Sequence, residues 1–367
     1  MNLASITSKL KEKAQGAVKP VKRGWNLATL PKRAITKVKV GTTPHDVVFE
    51  DGWRLLRYHA RPEGCAYRTP ILLVPSLINR HYVLDLAPGK SLVEFLVREG
   101  HDVFVLDWGR PRREDRHLTF DDVCDDRLGR AIREAARRSS TNKVHVLGYC
   151  LGGTLAAIHA SARPKHVASL IALAAPVTFD DDGMLASWCR TKNFNPRLLV
   201  DAFGNVPWPI LQAAFHMLRP TLSLSKAVHL VDRAWNDEFL DGFLALETWG
   251  NDNVSFPGEC FVTYIDEIYR RNAFAKGTFR LSGRPARMEQ ITCPVLAITF
   301  EHDTIVPWRS AAALLDRVKS EDKQRIHMQG GHVGAVVARS ASQGLWPQIS
   351  RFLAERDGRP AAARHAA

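Results

Sequence analysis

The run Gly148-Tyr149-Cys150-Leu151-Gly152-Gly153 carries a nucleophilic side chain in a setting that could present it for reaction. It follows the apolar stretch Lys143–Leu147 and opens the helical pattern Leu151–Ala162. A sharp strand-to-helix turn would hold the cysteine sulfur clear of the chain, near the positive end of the helix, which favours the reactive thiolate. In so tight a turn, side chains two before and two after the nucleophile would collide. Glycines stand at both places, Gly148 and Gly152. A buried structural cysteine beside a chance glycine pair is the plainer alternative. The register of strand, glycines and helix argues against it.

A thiol nucleophile needs a base, and the base needs an orienting acid. Around a turn of this type the chain order is nucleophile, acid, histidine. Asp303 follows the apolar run Pro294–Phe300, and His332 follows Gln-Arg-Ile-His-Met-Gln, with Gly330 and Gly331 just before it. Both would sit past the carboxyl end of a strand, where ligands collect in open α/β sheets. Asp180, Asp181 and Asp182 follow the earlier stretch Ser169–Ala174 and stay open as alternative acids. His302 and His327 flank the chosen pair; His327 lies in a predicted strand and reads as a packed or surface residue. An oxyanion hole needs two backbone N–H groups. Leu151 would supply one, and Ile78 or its neighbour, after Ile71–Pro75, the other.

The elements that position these residues alternate. Predicted strands are Trp53–His59, Ile71–Pro75, Asp102–Trp108, Lys143–Leu147, Ser169–Ala174 and Pro294–Phe300; predicted helices are Ser91–Glu99, Asp121–Arg138 and Leu151–Ala162. Such alternation gives a mostly parallel sheet with helices on both faces. With the nucleophile turn, the fold class is α/β, and specifically the α/β-hydrolase fold. Residues 181–285 break the rhythm. They are rich in Trp, Phe, Leu and Pro, and read as a helical cap inserted before the last strands. The division is an N-terminal arm over 1–45, a catalytic domain over 46–357 and a flexible tail over 358–367.

Composition narrows the class further. The 367 residues are 45% apolar and 24% charged, an ordinary globular balance. No apolar run reaches membrane-spanning length, and no signal core opens the chain, so a cytoplasmic enzyme is expected. The six cysteines form no C-x-x-C pair, which points to reduced thiols and no metal site. Of the net charge of +13, residues 1–40 carry +9, so the basicity belongs to the arm and no nucleic-acid-binding domain is indicated. Leu3, Ile6, Leu10 and Ala14 recur at helical spacing with lysines between them, an amphipathic pattern suited to an apolar boundary or to docking on the domain. A solubilising, partly disordered tail is the alternative. Pro20, Gly24 and Pro31 are expected to interrupt regular structure.

Beyond the nucleophile turn, the sequence resembles the polyhydroxyalkanoate synthase family. Gly-Tyr-Cys-Leu-Gly-Gly is similar to that family's lipase-like box with cysteine in place of serine. Ile78–Leu86, Asp107–Pro111, Ile291–Leu296 and Gly330–Val337 resemble synthase blocks in the same order, as does the cap segment Trp249–Gly258. The likeness covers residues 45–355, and the length is similar to that of the short synthases that work with a second subunit. It implies Cys150 as the acylated nucleophile, Asp303 as acid and His332 as base. It implies a polymerase of (R)-3-hydroxyacyl-CoA that releases CoA and needs no other cofactor. Its partners would be a polyester or granule surface, an accessory subunit and a second copy in a homodimer. Synthases commonly carry histidine directly after the aspartate; here Thr304 stands there and His302 precedes it. A cysteine hydrolase releasing the free acid, or an idle granule scaffold, are the competing readings.

Overall fold

In the computed structural model, the backbone is described for residues 3–36, 38–181 and 183–357. The side chains of residues 3–18, 36, 222 and 223 lie outside the described residues. The strands are β1 (His45–Glu50), β2 (Arg54–Tyr58), β3 (Ile71–Val74), β4 (Val103–Asp107), β5 (Val144–Tyr149), β6 (Val167–Leu173), a short separate hairpin β7 (Arg280–Leu281) with β8 (Arg284–Pro285), β9 (Val295–Phe300) and β10 (Lys323–Met328). Eight of them form one sheet in the order β1-β2-β4-β3-β5-β6-β9-β10. It is parallel from β4 to β10, with β1 and β2 antiparallel at one edge.

The central strands read Ile-Leu-Leu-Val, Val-Phe-Val-Leu-Asp and Val-Leu-Ala-Ile-Thr-Phe, and every residue in them is buried. Continuous apolar runs of this kind are what a sheet covered on both faces requires. The pleat sorts them between two cores. Leu72, Val74, Val146 and Leu170 pack on one face with α3 (Leu128–Arg137) and α4 (Leu151–Ala162). Ile71, Leu73, Leu147 and Ile171 pack on the other with α2 (Leu92–Arg98) and the last described helix, Trp346–Asp357.

The sequence from 184 onward forms α5 (Met184–Arg190), α6 (Pro196–Phe203), α7 (Trp208–Met217), α8 (Leu222–Arg233), α9 (Asp237–Asn251) and α10 (Gly258–Thr263). The inserted segment is not uniform. Phe256, Phe261, Tyr264, Ile268, Phe274 and Phe279 are buried in the same core as α4. By contrast α7 and the described side chains of α8 include no buried residue, so the loosely packed part of the cover is the α7–α8 pair.

The N-terminal segment departs from the sequence reading. A single helix α1 (Leu3–Thr36) runs through Pro20, Gly24 and Pro31, which were expected to interrupt it. A proline inside a helix costs about 3 kcal/mol, and tertiary contacts offset that cost. Asn26 is buried and its amide donates to the Ala234 carbonyl at 2.7 Å; Arg33 pairs with Asp237 at 2.7 Å and with Asp241 at 2.8 Å; Lys22 pairs with Asp237 at 2.7 Å. The basic segment is thus docked on the first turn of α9. The repeat Leu3-Ile6-Leu10-Ala14 concerns side chains outside the described residues, as do Asp182 and the tail 358–367. No helix among the described residues is long and apolar enough to cross a membrane.

Candidate active site

Cys150 sits at the junction of β5 and α4 with φ 55° and ψ −130°, in the region that side chains rarely adopt. The surrounding contacts hold that strain in place. Its N–H donates to the Leu173 carbonyl at 3.0 Å, and Thr154 Oγ1 donates to the Pro176 carbonyl at 2.6 Å. The glycines are required by space. A Cβ on Gly148 would overlap the backbone of Gly152 and Gly153, and one on Gly152 would overlap the carbonyl oxygens of Val74 and Pro75. The elbow can therefore lie against the end of β3 only if those positions are bare.

Asp303 and His332 come from the ends of β9 and β10 and meet. His332 Nδ1 lies 2.7 Å from Asp303 Oδ2, and both side chains are nearly sealed from solvent. The other carboxylate oxygen, Oδ1, accepts the N–H groups of Ile305 and Val306, each at 2.9 Å. Every oxygen of the acid thus has a donor, and the imidazole ring is fixed. Tyr149 stacks on that ring, with centroids 5.1 Å apart, and its hydroxyl donates to the His332 carbonyl. Burial alone would lower the His332 pKa. The charges of the Cys150 sulfur and of Asp303, with hydrogen bonds to both, push it up to about 10.

Of the alternative residues, Asp181 binds its own loop, accepting the Gly183 N–H at 2.7 Å, and Asp180 is exposed. His327 is engaged by Thr299 and Glu301, at 2.8 Å each. His302 is exposed and lines the same cavity as Cys150 and His332. Burial raises the pKa of each of the five other cysteines, which keeps those thiols protonated.

That cavity, about 440 Å³, is floored by Cys150 and His332, walled by α7 and α9, and edged by Ile78. Leu151 is the first residue of α4, so its N–H has no partner within the helix and points to the nucleophile side. Ile78 lies across the opening in the loop after β3. The Ile78 carbonyl accepts the Val254 N–H at 3.3 Å, while the neighbouring Asn79 amide donates to Asn253 Oδ1 at 2.7 Å. The Trp249 indole donates to the Arg80 carbonyl at 3.0 Å, and Tyr82 OH donates to Asp252 at 2.8 Å. Arg80 and Arg110 also face Asp252. Behind the loop, the buried Asp107 carboxylate lies 3.0 Å from both His81 Nδ1 and Arg54 Nη2. Burial would raise the Asp107 pKa, but His81, Arg80 and the Gly109 N–H hold it well below the usual carboxylate range.

Apart from Arg54, the residues of these loop contacts lie in the blocks Ile78–Leu86, Asp107–Pro111 and Trp249–Gly258. The signal was there as three separate motifs, without an indication that they meet. The arrangement as a whole can attack a carbonyl with a thiolate, hold the resulting oxyanion on backbone N–H groups and pass protons through one imidazole.

Comparison with known proteins finds relatives of this chain. Residues 69–335 match the alpha/beta hydrolase fold family, and residues 29–96 match the family described as Poly-beta-hydroxybutyrate polymerase (PhaC) N-terminus. The poly(3-hydroxyalkanoate) polymerase subunit PhaC of Haloferax mediterranei is 36% identical over 325 residues, covering 88% of this chain and 66% of that protein. The protein of the same name from Allochromatium vinosum is 32% identical over 323 residues, covering 87% of this chain and 90% of its own length. Among solved structures, a soluble variant of monoglyceride lipase from Saccharomyces cerevisiae superposes with a TM-score of 0.53 at 12% identity, covering 88% of this chain and 97% of the lipase chain. That last likeness concerns the fold alone.

Proposed function

The chain belongs to the poly(3-hydroxyalkanoate) polymerase (PhaC) family, and we propose that it polymerises (R)-3-hydroxyacyl-CoA into polyester through an acyl-enzyme on Cys150. The observation that carries the chemistry is the buried His332–Asp303 pair facing the one cysteine presented on the elbow.

In this reading the Cys150 thiolate attacks the thioester carbonyl. The oxyanion forms against the N–H groups of Leu151 and Ile78. The intermediate collapses, the carbon–sulfur bond to CoA breaks, and the CoA sulfur leaves with a proton from the His332 imidazolium. One thioester replaces another, so the held acyl group stays reactive. The 3-hydroxyl of a second hydroxyacyl-CoA then gives its proton to His332 and attacks the acyl group, and Cys150 leaves as thiolate. The lengthened acyl-CoA re-acylates Cys150 and frees CoA. No cofactor beyond the substrate thioester is needed. Water must be kept from the intermediate, and the apolar helices α7 and α9 above the cavity serve that role.

The finer assignments belong to the same proposal. The length match to short synthases supports a second subunit and a homodimer, which light scattering with and without the added subunit would test. Val21, Trp25 and Ile35 on the outer side of α1 are 76%, 70% and 86% exposed, which suits a granule surface. Replacing all three by serine should release the protein from isolated granules; unchanged association would remove that role.

The activity itself is tested by supplying purified protein with (R)-3-hydroxybutyryl-CoA, following CoA release and sizing the products. High-mass polyester is the expected product, with Cys150→Ala inactive. Free 3-hydroxybutyrate alone would replace the reading with that of a hydrolase.

A further inference from the structure

The wall of the Cys150 cavity has an unbalanced charge. Among its lining residues there is no aspartate or glutamate, while His216, Arg219 and Lys226 line it beside His302 and the buried His332. His216 falls in the last turn of α7, Arg219 just beyond it and Lys226 in the first half of α8, so all three come from one helix–turn–helix. His216 and Arg219 are exposed, whereas Cys150 and His332 lie deeper. An exposed residue that also lines a cavity marks its mouth. Neither His216 nor Arg219 makes an ion pair among the described residues. Lys226 does, with Glu247 at 2.6 Å, a carboxylate outside the cavity lining. A rim carrying the unpaired Arg219 guanidinium and the Glu247-paired Lys226 over an apolar interior suits a ligand with a greasy arm and an anionic head.

Resting on the acyl-CoA reading above, we propose that His216, Arg219 and Lys226 form the subsite for the phosphates of CoA. The pantetheine arm threads the apolar wall down to Cys150. The diphosphate and the 3′-phosphate stay at the mouth, where the Arg219 guanidinium can engage two phosphate oxygens at once. Lys226 is partly neutralised by Glu247, so Glu247 restrains the strength of the site. Phosphate recognition at the rim also lets CoA leave after each acyl transfer, because exposed ionic contacts are screened and weak.

The test is direct binding to the full chain, read by fluorescence of the cavity tryptophans Trp208 and Trp249, with CoA and with pantetheine, which has the same arm and no phosphates. CoA should bind roughly tenfold more tightly than pantetheine at low salt, and the difference should shrink in high salt. Arg219→Ala should weaken CoA by roughly fivefold to tenfold and leave pantetheine unaffected, with Arg219→Lys intermediate. Glu247→Gln should tighten CoA, a gain that misfolding cannot mimic. Arg317→Ala, outside the cavity, is the control and should change neither. Equal affinity for CoA and pantetheine, or Arg219→Ala without effect on CoA, would overturn the proposal. The activity reading fails separately, if hydroxyacyl-CoA binds through Arg219 but no CoA is released.

Discussion

Asp303 uses one carboxylate oxygen for His332 and the other for two backbone N–H groups, so its chemistry and its position are fixed together. Asp303→Asn would place an amide N–H against Nδ1 and force the wrong tautomer. Acyl transfer should fall on the order of 10³-fold or more, measured as CoA release, while the unfolding midpoint hardly moves. Gly152→Ala should act in the opposite manner. Its Cβ has to displace the carbonyls at the end of β3, so stability should drop by about 1–3 kcal/mol or more. A urea denaturation curve reads this, and an unchanged midpoint would contradict the close packing of the elbow. At this scale much was legible. Cys150 announces itself through the two glycines its turn requires, and Asp303 and His332 through their places after apolar runs. Tyr149, stacked on His332, was not: an aromatic between a glycine and a cysteine looks the same whether or not it touches the base.

The loop after β3 is an element held from two sides. Asn79, Arg80 and Tyr82 reach the Trp249–Val254 segment, and His81 reaches Asp107. This ties the backbone near Ile78 to the cover over the cavity. If the proposed oxyanion role of the Ile78 N–H holds, Asn253→Ala should lower kcat by roughly tenfold with little change in KM, since it would loosen that donor rather than a binding contact. A proportional rise in KM would instead make Asn253 a substrate contact. The three segments involved could each be read as motifs, yet their meeting depends on tertiary packing across more than 170 positions. Local pattern carries no such information. For α1 the failure ran the other way. Pro20 and Pro31 are strong local breakers, but ion pairs to Asp237 and Asp241 and the buried Asn26 amide outweigh them.

Across the whole molecule, three histidines are sealed in the core as neutral rings. His101 meets Ser350, His145 meets Ser169 and His159 meets the Cys124 carbonyl. Burial is the leading cause in each case, and it lowers their pKa values to about 3, 4 and 4. In the unfolded chain they would take up protons near pH 6.5. Their neutral state therefore stabilises the fold above pH 6.5, and that contribution drains away as pH falls toward 4. The urea midpoint should drop steeply over that window, and His145→Gln should flatten the drop; a midpoint level from pH 7 to 4.5 would contradict it. The alternation of strands and helices made the sheet and its two covering layers legible, because buried parallel strands are written as unbroken apolar runs. The split of residues 181–285 between cover and core was not, since aromatic residues suit either. The central claim, that Cys150 carries the acyl group, is tested most directly by mass spectrometry. The protein is quenched early in turnover with (R)-3-hydroxybutyryl-CoA, and its peptides are mapped. The account predicts 3-hydroxybutyryl units on the Cys150 peptide, absent in Cys150→Ala and accumulating more slowly in His332→Ala. CoA release with Cys150 unmodified throughout, or the adduct on another cysteine, would contradict it.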